Sequence, residues 1–228
     1  MSQTQVTVSG PTITDASITL LRTGEVKTQH WGSSRRFRTA AVKTPHTDPV
    51  RLTVTGFVGD EQGNPKYHGG TEKAVCCYPA EHYDEWRAEG LQLPDGAFFE
   101  NLTIRGATED RVFLGDVYRV GGAVVQVTQP RTPCATISKK WSNPDLPKLM
   151  MSTNRCGYYL RVLDEGDVEV GDRFEFVSRL PDAVSCAFVS RIMNVERGDL
   201  AAMRELLEAP EFPERWRKQL LRRLGKSA

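Results

Sequence analysis

The period of the hydrophobic pattern changes once along this chain, near Pro181, and that change restricts the fold more than any other feature. Upstream, apolar residues come in short runs closed by glycine or proline: SITLLRTG (17–24), RFRTAAVK (36–43), VRLTVTGFVGD (50–60) and KAVCCYP (73–79). Short runs rich in Val, Ile, Thr and aromatics, bounded by turn residues, are strands. RVFLGDVYRVG (111–121) and AVVQVTQP (123–130) meet at Gly121-Gly122 and predict a hairpin; GYYLRVLDEG (157–166) with VEVGDRFEFV (168–177) predicts a second. Pro79 suits the first turn of a helix through EHYDEWRAE, which Gly90 closes. Strands of this length and spacing predict a mainly β domain with some helix, α+β in class, curled into a barrel or folded-over sheet.

Downstream the period lengthens. Val184, Phe188 and Ile192 recur every fourth residue behind a candidate N-cap at Asp182. Leu200, Met203, Leu206 and Leu207 form a stripe behind Asp199, and Trp216, Leu220 and Leu224 form another that stops at Gly225. Three helices in fewer than fifty residues make a bundle too small to stand alone, so it should dock on the β domain. The expected organisation is a tail over 1–16, a β domain over 17–180 and a three-helix segment over 181–228. The last helix is basic, with Arg215, Arg217, Lys218, Arg222, Arg223 and Lys226 against Glu214. That charge is either a patch for nucleic acid or an acidic partner, or a solvated face favourable near a helix C-terminus. Without a recognition motif the second reading is preferred, and no nucleic acid is expected.

A formal net charge of +1 also argues against a general nucleic-acid footprint. No apolar run approaches the roughly 18 residues of a membrane span, and MSQTQVTVSGPTITD lacks the basic start and apolar core of a secretory signal. Five cysteines, with no CxxC pair, are poor material for a disulfide framework or a structural zinc. A reducing cytoplasm is the expected compartment.

Chemistry concentrates in four islands, each at the end of a predicted strand where a rigid scaffold can present loop residues together. They are TAAVKTP with Thr39 and Lys43; NPKYHGGTEKAV with His68, Gly69, Gly70 and Lys73; GAFFENLT with Glu100 and Asn101; and QPRTPC with Arg131, Thr132 and Cys134, joined by Arg155 of RCGYY. Each has a plain structural alternative. His-Gly-Gly could be only a turn, a single lysine is usually a surface charge, Glu-Asn can satisfy a turn's backbone, and a lone cysteine is often a small buried hydrophobe. Cys76, Cys77, Cys156 and Cys186 lie in apolar or helical stretches and are assigned to structure. Together the islands describe several cations and donors around one thiol. Lys43, Lys73, Arg131 and Arg155 suit a phosphate-bearing anion, and the same charges would hold Cys134 as the thiolate that ligates a soft metal.

The ordered set HGGTEKAVCCYP, GAFFENLTI, GDVYRVGGAVVQVTQPRTPC and RCGYYLRVL resembles MOSC domains, the C-terminal domains of molybdenum cofactor sulfurases, over residues 17 to 226. With its helical tail, the chain is most similar to the YiiM-like branch, in which a 3-alpha domain follows. The resemblance implies a β-barrel-like core that binds the molybdenum cofactor (Mo-molybdopterin), with Cys134 as the molybdenum ligand and no call on pyridoxal phosphate. It implies a pocket of Thr39, Lys43, His68, Lys73, Asn101, Arg131, Thr132 and Arg155. It also implies reduction of N-hydroxylated compounds such as hydroxylaminopurine bases, with electrons from a separate flavoprotein reductase. The absence of a GxGxxG fingerprint agrees with an external electron source, for which the basic last helix is a candidate docking face. His68 is the candidate proton donor, since imidazole ordinarily titrates near neutrality. Two departures stand out: Phe99 replaces the glycine usual in GAFGENL, and Asn64-Pro65 stand where an aspartate usually precedes HGG. The alternatives are a carrier, in which Cys134 holds sulfur as a persulfide or the domain hands over cofactor without redox turnover, and a non-enzymatic interaction module. A homodimer is among the oligomeric states left open.

Overall fold

A computed structural model describes residues 10, 12–32 and 36–225. Residues 1–9 and 11 of the expected tail lie outside the described residues, as does Lys226 of the basic helix.

The chain opens with β1 (Ser17–Thr23), β2 (Lys27–Gln29), β3 (Phe37–Thr39), β4 (Thr44–Pro45), β5 (Val50–Thr53) and β6 (Gly56–Phe57). A one-turn helix, α1 (Pro65–His68), and a 3-10 turn (Thr71–Lys73) lead into β7 (Val75–Pro79) and α2 (Ala80–Ala88). Then follow β8 (Leu102–Arg105), β9 (Val117–Val120), β10 (Ala123–Pro130), α3 (Ala135–Trp141), α4 (Leu146–Ser152), β11 (Tyr158–Asp164), β12 (Gly166–Val168) and β13 (Phe174–Ser178). Three helices end the chain: α5 (Cys186–Asn194), α6 (Leu200–Glu208) and α7 (Glu214–Leu224).

Eight strands form one sheet in the order β13-β9-β10-β11-β7-β8-β1-β4, antiparallel except where β7 runs parallel to β8. The sheet curls until β1 meets the segment before β13. Ser17 bridges Arg173, Ile18 N–H donates to Asp172 O at 3.0 Å, and Phe174 N–H to Ala16 O at 2.8 Å. This near closure hides edges that would otherwise be open to pairing with another chain. Inside lies an apolar core of Leu21, Leu52, Ile104, Tyr118, Val125 and Leu160. Val189, Ile192, Met203, Leu206 and Leu220 of the terminal helices join the same cluster, so the helical segment shares the sheet's core. A second cluster beneath α2 packs Tyr78, Tyr83, Trp86 and Phe98 against Ile137 and Met150. One ion pair is fully buried within the β domain, joining the turn before β9 to the segment after β13: Arg179 Nε and Nη2 donate to the two Asp116 carboxylate oxygens at 2.7 Å each.

Four expectations need correction. The second hairpin does not form, because both edges of β11 are taken by β10 and β7. Instead β12 pairs with β5 and β13 with β9. The chain leaves β11 by crossing the β9–β10 turn at Gly166, where a Cβ would lie 2.1 Å from Gly122 C, so only glycine passes there. The run 111–121 is strand only from Val117, because the Asp116 side chain accepts from Phe113 N–H and closes a turn. Asp182 does not cap α5: it has φ +57°, and Ser185 caps instead, its Oγ accepting from Phe188 N–H at 3.1 Å. Finally, α3 and α4 fill a stretch after Cys134 for which no element was expected.

Candidate functional site

Cys134 sits where β10 has ended and α3 begins. Arg131 N–H donates to Gly157 O at 2.8 Å, pinning the start of the loop to the neighbouring strand. The prolines on either side of the dipeptide Arg131-Thr132 limit its backbone freedom, and Cys134 enters the helix in extended geometry, φ −109° and ψ 163°. Facing it is the His-Gly-Gly turn. Pro65 starts α1, and Gly70 at φ +96° reverses the chain into the 3-10 turn. That left-handed residue brings His68 and Lys73 to one side, with Lys73 Nζ donating to Tyr67 O at 2.6 Å and lying 5.6 Å from the Tyr159 ring centroid.

Burial alone would raise the Cys134 thiol. The hydrogen bond from His68, the Arg131 charge and hydrogen bonding from Thr136 outweigh it and bring the pKa down to about 6. Cys76, in the same cavity, is pushed the other way by burial and keeps its proton at neutral pH. The site therefore holds one thiolate and one thiol. In metal-free protein, the ultraviolet absorbance of a thiolate should appear with a midpoint near pH 6 and vanish in Cys134→Ser. Because the folded pKa lies below the ordinary 9.0, the stabilisation is complete above about pH 9 and is lost as pH falls through 6.

Two cavities meet at this sulfur. The first, about 320 Å³, is lined by Thr39, Lys43, His68, Lys73, Asn101, Arg131 and Cys134, which are seven of the nine residues expected at the site. The second, about 500 Å³, shares His68, Lys73, Cys134 and Tyr159 and takes in Thr132 and the terminal helices. Thr132 thus lines only the second cavity, together with His68, Lys73 and Cys134 of the expected set. Arg155 lines neither cavity: its Nε and Nη2 donate to Glu85 at 2.7 Å and Glu89 at 2.8 Å, and its guanidinium lies 4.5 Å from the Trp86 ring centroid. Glu85 lies on α2 and Glu89 caps its C-terminal end, and a sequence pattern cannot show that they reach the 155 loop. Glu100 is buried under the site as an acceptor for Tyr83 Oη at 2.6 Å and Thr103 Oγ1 at 2.9 Å.

Asp60 was missed from the sequence and organises the floor of the first cavity. It forms a buried ion pair with Lys43 and accepts from Asn101 Nδ2 at 2.9 Å and Gly24 N–H at 2.8 Å. Asn101 Oδ1 in turn accepts from Cys76 N–H at 3.0 Å. Lys43 and Asn101 are thereby committed to the frame, and a carboxylate is present in the cavity although Asn64-Pro65, and not an aspartate, stand just before the His-Gly-Gly turn. The signal was available in the GD of FVGDEQG, an acid after a turn glycine, but nothing in the spacing linked it to Lys43. Cys76 and Tyr159 were also missed, as alternating strand residues whose outward face is the cavity.

Arg131 is 5% exposed, and its Nη1 is buried without a hydrogen-bond partner. A buried guanidinium group left in that state is costly unless an anion completes it. Phe99 holds the left-handed conformation that glycine would take, φ 65°, and its ring stacks on Trp31 at 6.2 Å between centroids. The loop accommodates a side chain in this conformation, and an aromatic ring lines the cavity. Phe99→Gly should relieve ~1–2 kcal/mol of backbone strain and lose about as much ring packing. Thermal stability should then change little, while alkylation of Cys134 by a bulky maleimide becomes several-fold faster.

Residues 64–175 match the MOSC domain family, and residues 184–226 match the YiiM-like, 3-alpha helix domain. The chain is 38% identical to the Bacillus subtilis (strain 168) protein YflK, covering 91% of this chain and 94% of that one. The chain belongs to the MOSC family, in its YiiM-like branch. Its structure is similar to that of YiiM from Geobacillus stearothermophilus, with TM-score 0.76 and 37% identity over 92% of this chain and 99% of that one. A Gibberella moniliformis (strain M3125 / FGSC 7600) protein named "Reductase" is 32% identical over 89% of this MOSC chain, which spans 36% of that longer relative. Among the described residues, no helix of this MOSC protein is long and apolar enough to cross a membrane.

Proposed function

We propose that this protein is a molybdenum-cofactor-dependent reductase of N-hydroxylated compounds such as hydroxylaminopurine bases, served by a separate flavoprotein reductase. The observation that carries this reading is a thiolate held between His68 and Arg131 where two cavities meet. The residues fit the group. Among the described residues no three His, Cys, Asp or Glu side chains gather as metal ligands, so the protein offers a metal one soft sulfur, and a cofactor that brings its own ligands suits that offer. The incomplete Arg131 Nη1 suits an anionic group.

Cys134 Sγ would ligate the metal, while Arg131 and Lys73 would bind the anionic portions of the cofactor. The bound cofactor supplies the redox centre through which two electrons reach the substrate. The net reaction, R–NH–OH + 2 e⁻ + 2 H⁺ → R–NH₂ + H₂O, breaks one N–O bond. His68 sits on the shared wall and can hand a ring N–H proton to the departing oxygen. Phe37, Phe99 and Tyr159 limit solvent around the thiolate. The name of the Gibberella relative supports a reductive role.

The test is an anaerobic assay of cofactor-loaded protein with a reduced electron donor and an N-hydroxylated base. Stoichiometric conversion to the amine is expected; no turnover would count against the reading. A mass increase of one sulfur atom at Cys134 in metal-free protein would instead favour the carrier.

A further inference from the structure

The second cavity contains features that N–O reduction of a neutral base does not use. One wall is the shared His68, Lys73, Cys134 and Tyr159; the opposite wall comes from α5, α7 and the segment after α5. Four cations line it, Lys73, Arg197, Arg215 and Arg223, and no Asp or Glu does. On α7 the spacing 215, 219, 223 puts Arg215, Gln219 and Arg223 on one face, and Trp216 lines the cavity beside them. Other cations on the helix are engaged elsewhere: Lys218 reaches Glu214, and Arg217 caps α6 at Leu207 O. Among the described residues neither Arg197 nor Arg215 has an ion-pair partner, although carboxylates pair with many other surface arginines. The basic helix is thus not only a solvated face, because two of its arginines turn toward the cavity that ends at Cys134.

These cations also repel one another. Burial, then the Arg215 charge, lowers the Lys73 pKa, and burial, then the Arg197 charge, lowers that of Arg223. A dianionic phosphate would relieve this repulsion and offer acceptors to several donors at once. A volume of about 500 Å³ falls within the range that holds small organic ligands. Trp216, Gln219 and Asn194 supply an aromatic surface and two amides for a heterocycle.

We propose that the cavity between the MOSC core and the terminal helices α5 and α7 is a subsite for a nucleoside monophosphate, so that the preferred substrates are N-hydroxylated nucleotides and not free bases. Arg197, Arg215 and Arg223 bind the phosphate, and the N-hydroxyl end points along the cavity toward Cys134. This rests on the reductive reading for its chemistry, but its binding claim stands separately.

The test is calorimetry on cofactor-loaded protein with AMP, adenosine and inorganic phosphate, followed by kinetics with an N-hydroxylated adenine base and its 5′-monophosphate. AMP should bind about ten- to a hundredfold tighter than adenosine, as expected for charge-assisted hydrogen bonds. Arg197→Gln with Arg215→Gln should bring the AMP-to-adenosine ratio close to one, and the kcat/KM ratio of nucleotide to base should fall in parallel. Equal affinity for AMP and adenosine in the wild type would overturn the subsite. So would a loss of molybdenum in the double variant, which would assign these arginines to the cofactor's own phosphate. Reduction of neither base nor nucleotide would sink the reductase reading, while the affinity ratio would still decide the subsite.

Discussion

Cys134→Ala is expected to lower kcat for N–O reduction by more than about a hundredfold, since loss even of a group supporting a metal ligand commonly costs 10–100-fold. The physical reason is specific to this position. Arg131, His68 and Thr136 all act to keep charge on one sulfur, and no other thiol in the first cavity can replace it, because burial keeps Cys76 protonated. Cys76→Ala should retain most of the activity, whereas His68→Gln should show an intermediate loss and shift the acid limb of the pH profile upward as Cys134 becomes harder to ionise. A Cys134→Ala protein as active as the wild type would remove the thiolate from the mechanism.

The second large effect concerns stability. Asp116→Ala should destabilise the fold by about 3–5 kcal/mol, because it leaves Arg179 charged in a place where both side chains are fully buried. At ~2–4 °C per kcal/mol for a chain of this size, the melting temperature should fall by about 10 °C. Asp116 also accepts from Tyr118 Oη at 2.9 Å and Phe113 N–H at 3.0 Å, so its loss frees donors on β9 and on the preceding turn. Asp116→Leu combined with Arg179→Met should recover much of the deficit, since the cost lies in one unmatched charge and not in the absence of the pair. Equal destabilisation by the single and double variants would refute that account.

Apart from Asp182, which leaves the capping of α5 to Ser185, local chemistry was legible in the sequence where a residue type dictates its own geometry. Gly121-Gly122 gave the β9–β10 hairpin, Asp199 capped α6 and accepts from Ala202 N–H, and the residues expected to surround Cys134 converge on it from segments far apart in the chain, Arg155 excepted. Long-range pairing was not legible. Nothing in GDVEVGDRFEFV (166–177) reveals that Gly166–Val168 and the strand from Phe174 separate to join different sheets, since each pairs equally well on pattern alone and the choice is made by which edges remain open. The charge partners were hidden for the same reason. Asp60 neutralises Lys43, and Glu85 and Glu89 neutralise Arg155, so two of the four cations expected to bind an anion have partners within the protein. The second cavity escaped notice because its cations come from two domains, and α7 looked like an ordinary solvated basic helix until its docking direction was known.

The most direct test of the central claim is molybdenum and pterin analysis of the protein from a host that makes the molybdenum cofactor, beside Cys134→Ala prepared identically. The account predicts near-stoichiometric molybdenum and pterin in the wild type, with molybdenum largely lost from the folded variant. Wild-type protein free of both, or a variant that holds as much metal as its parent, would contradict it.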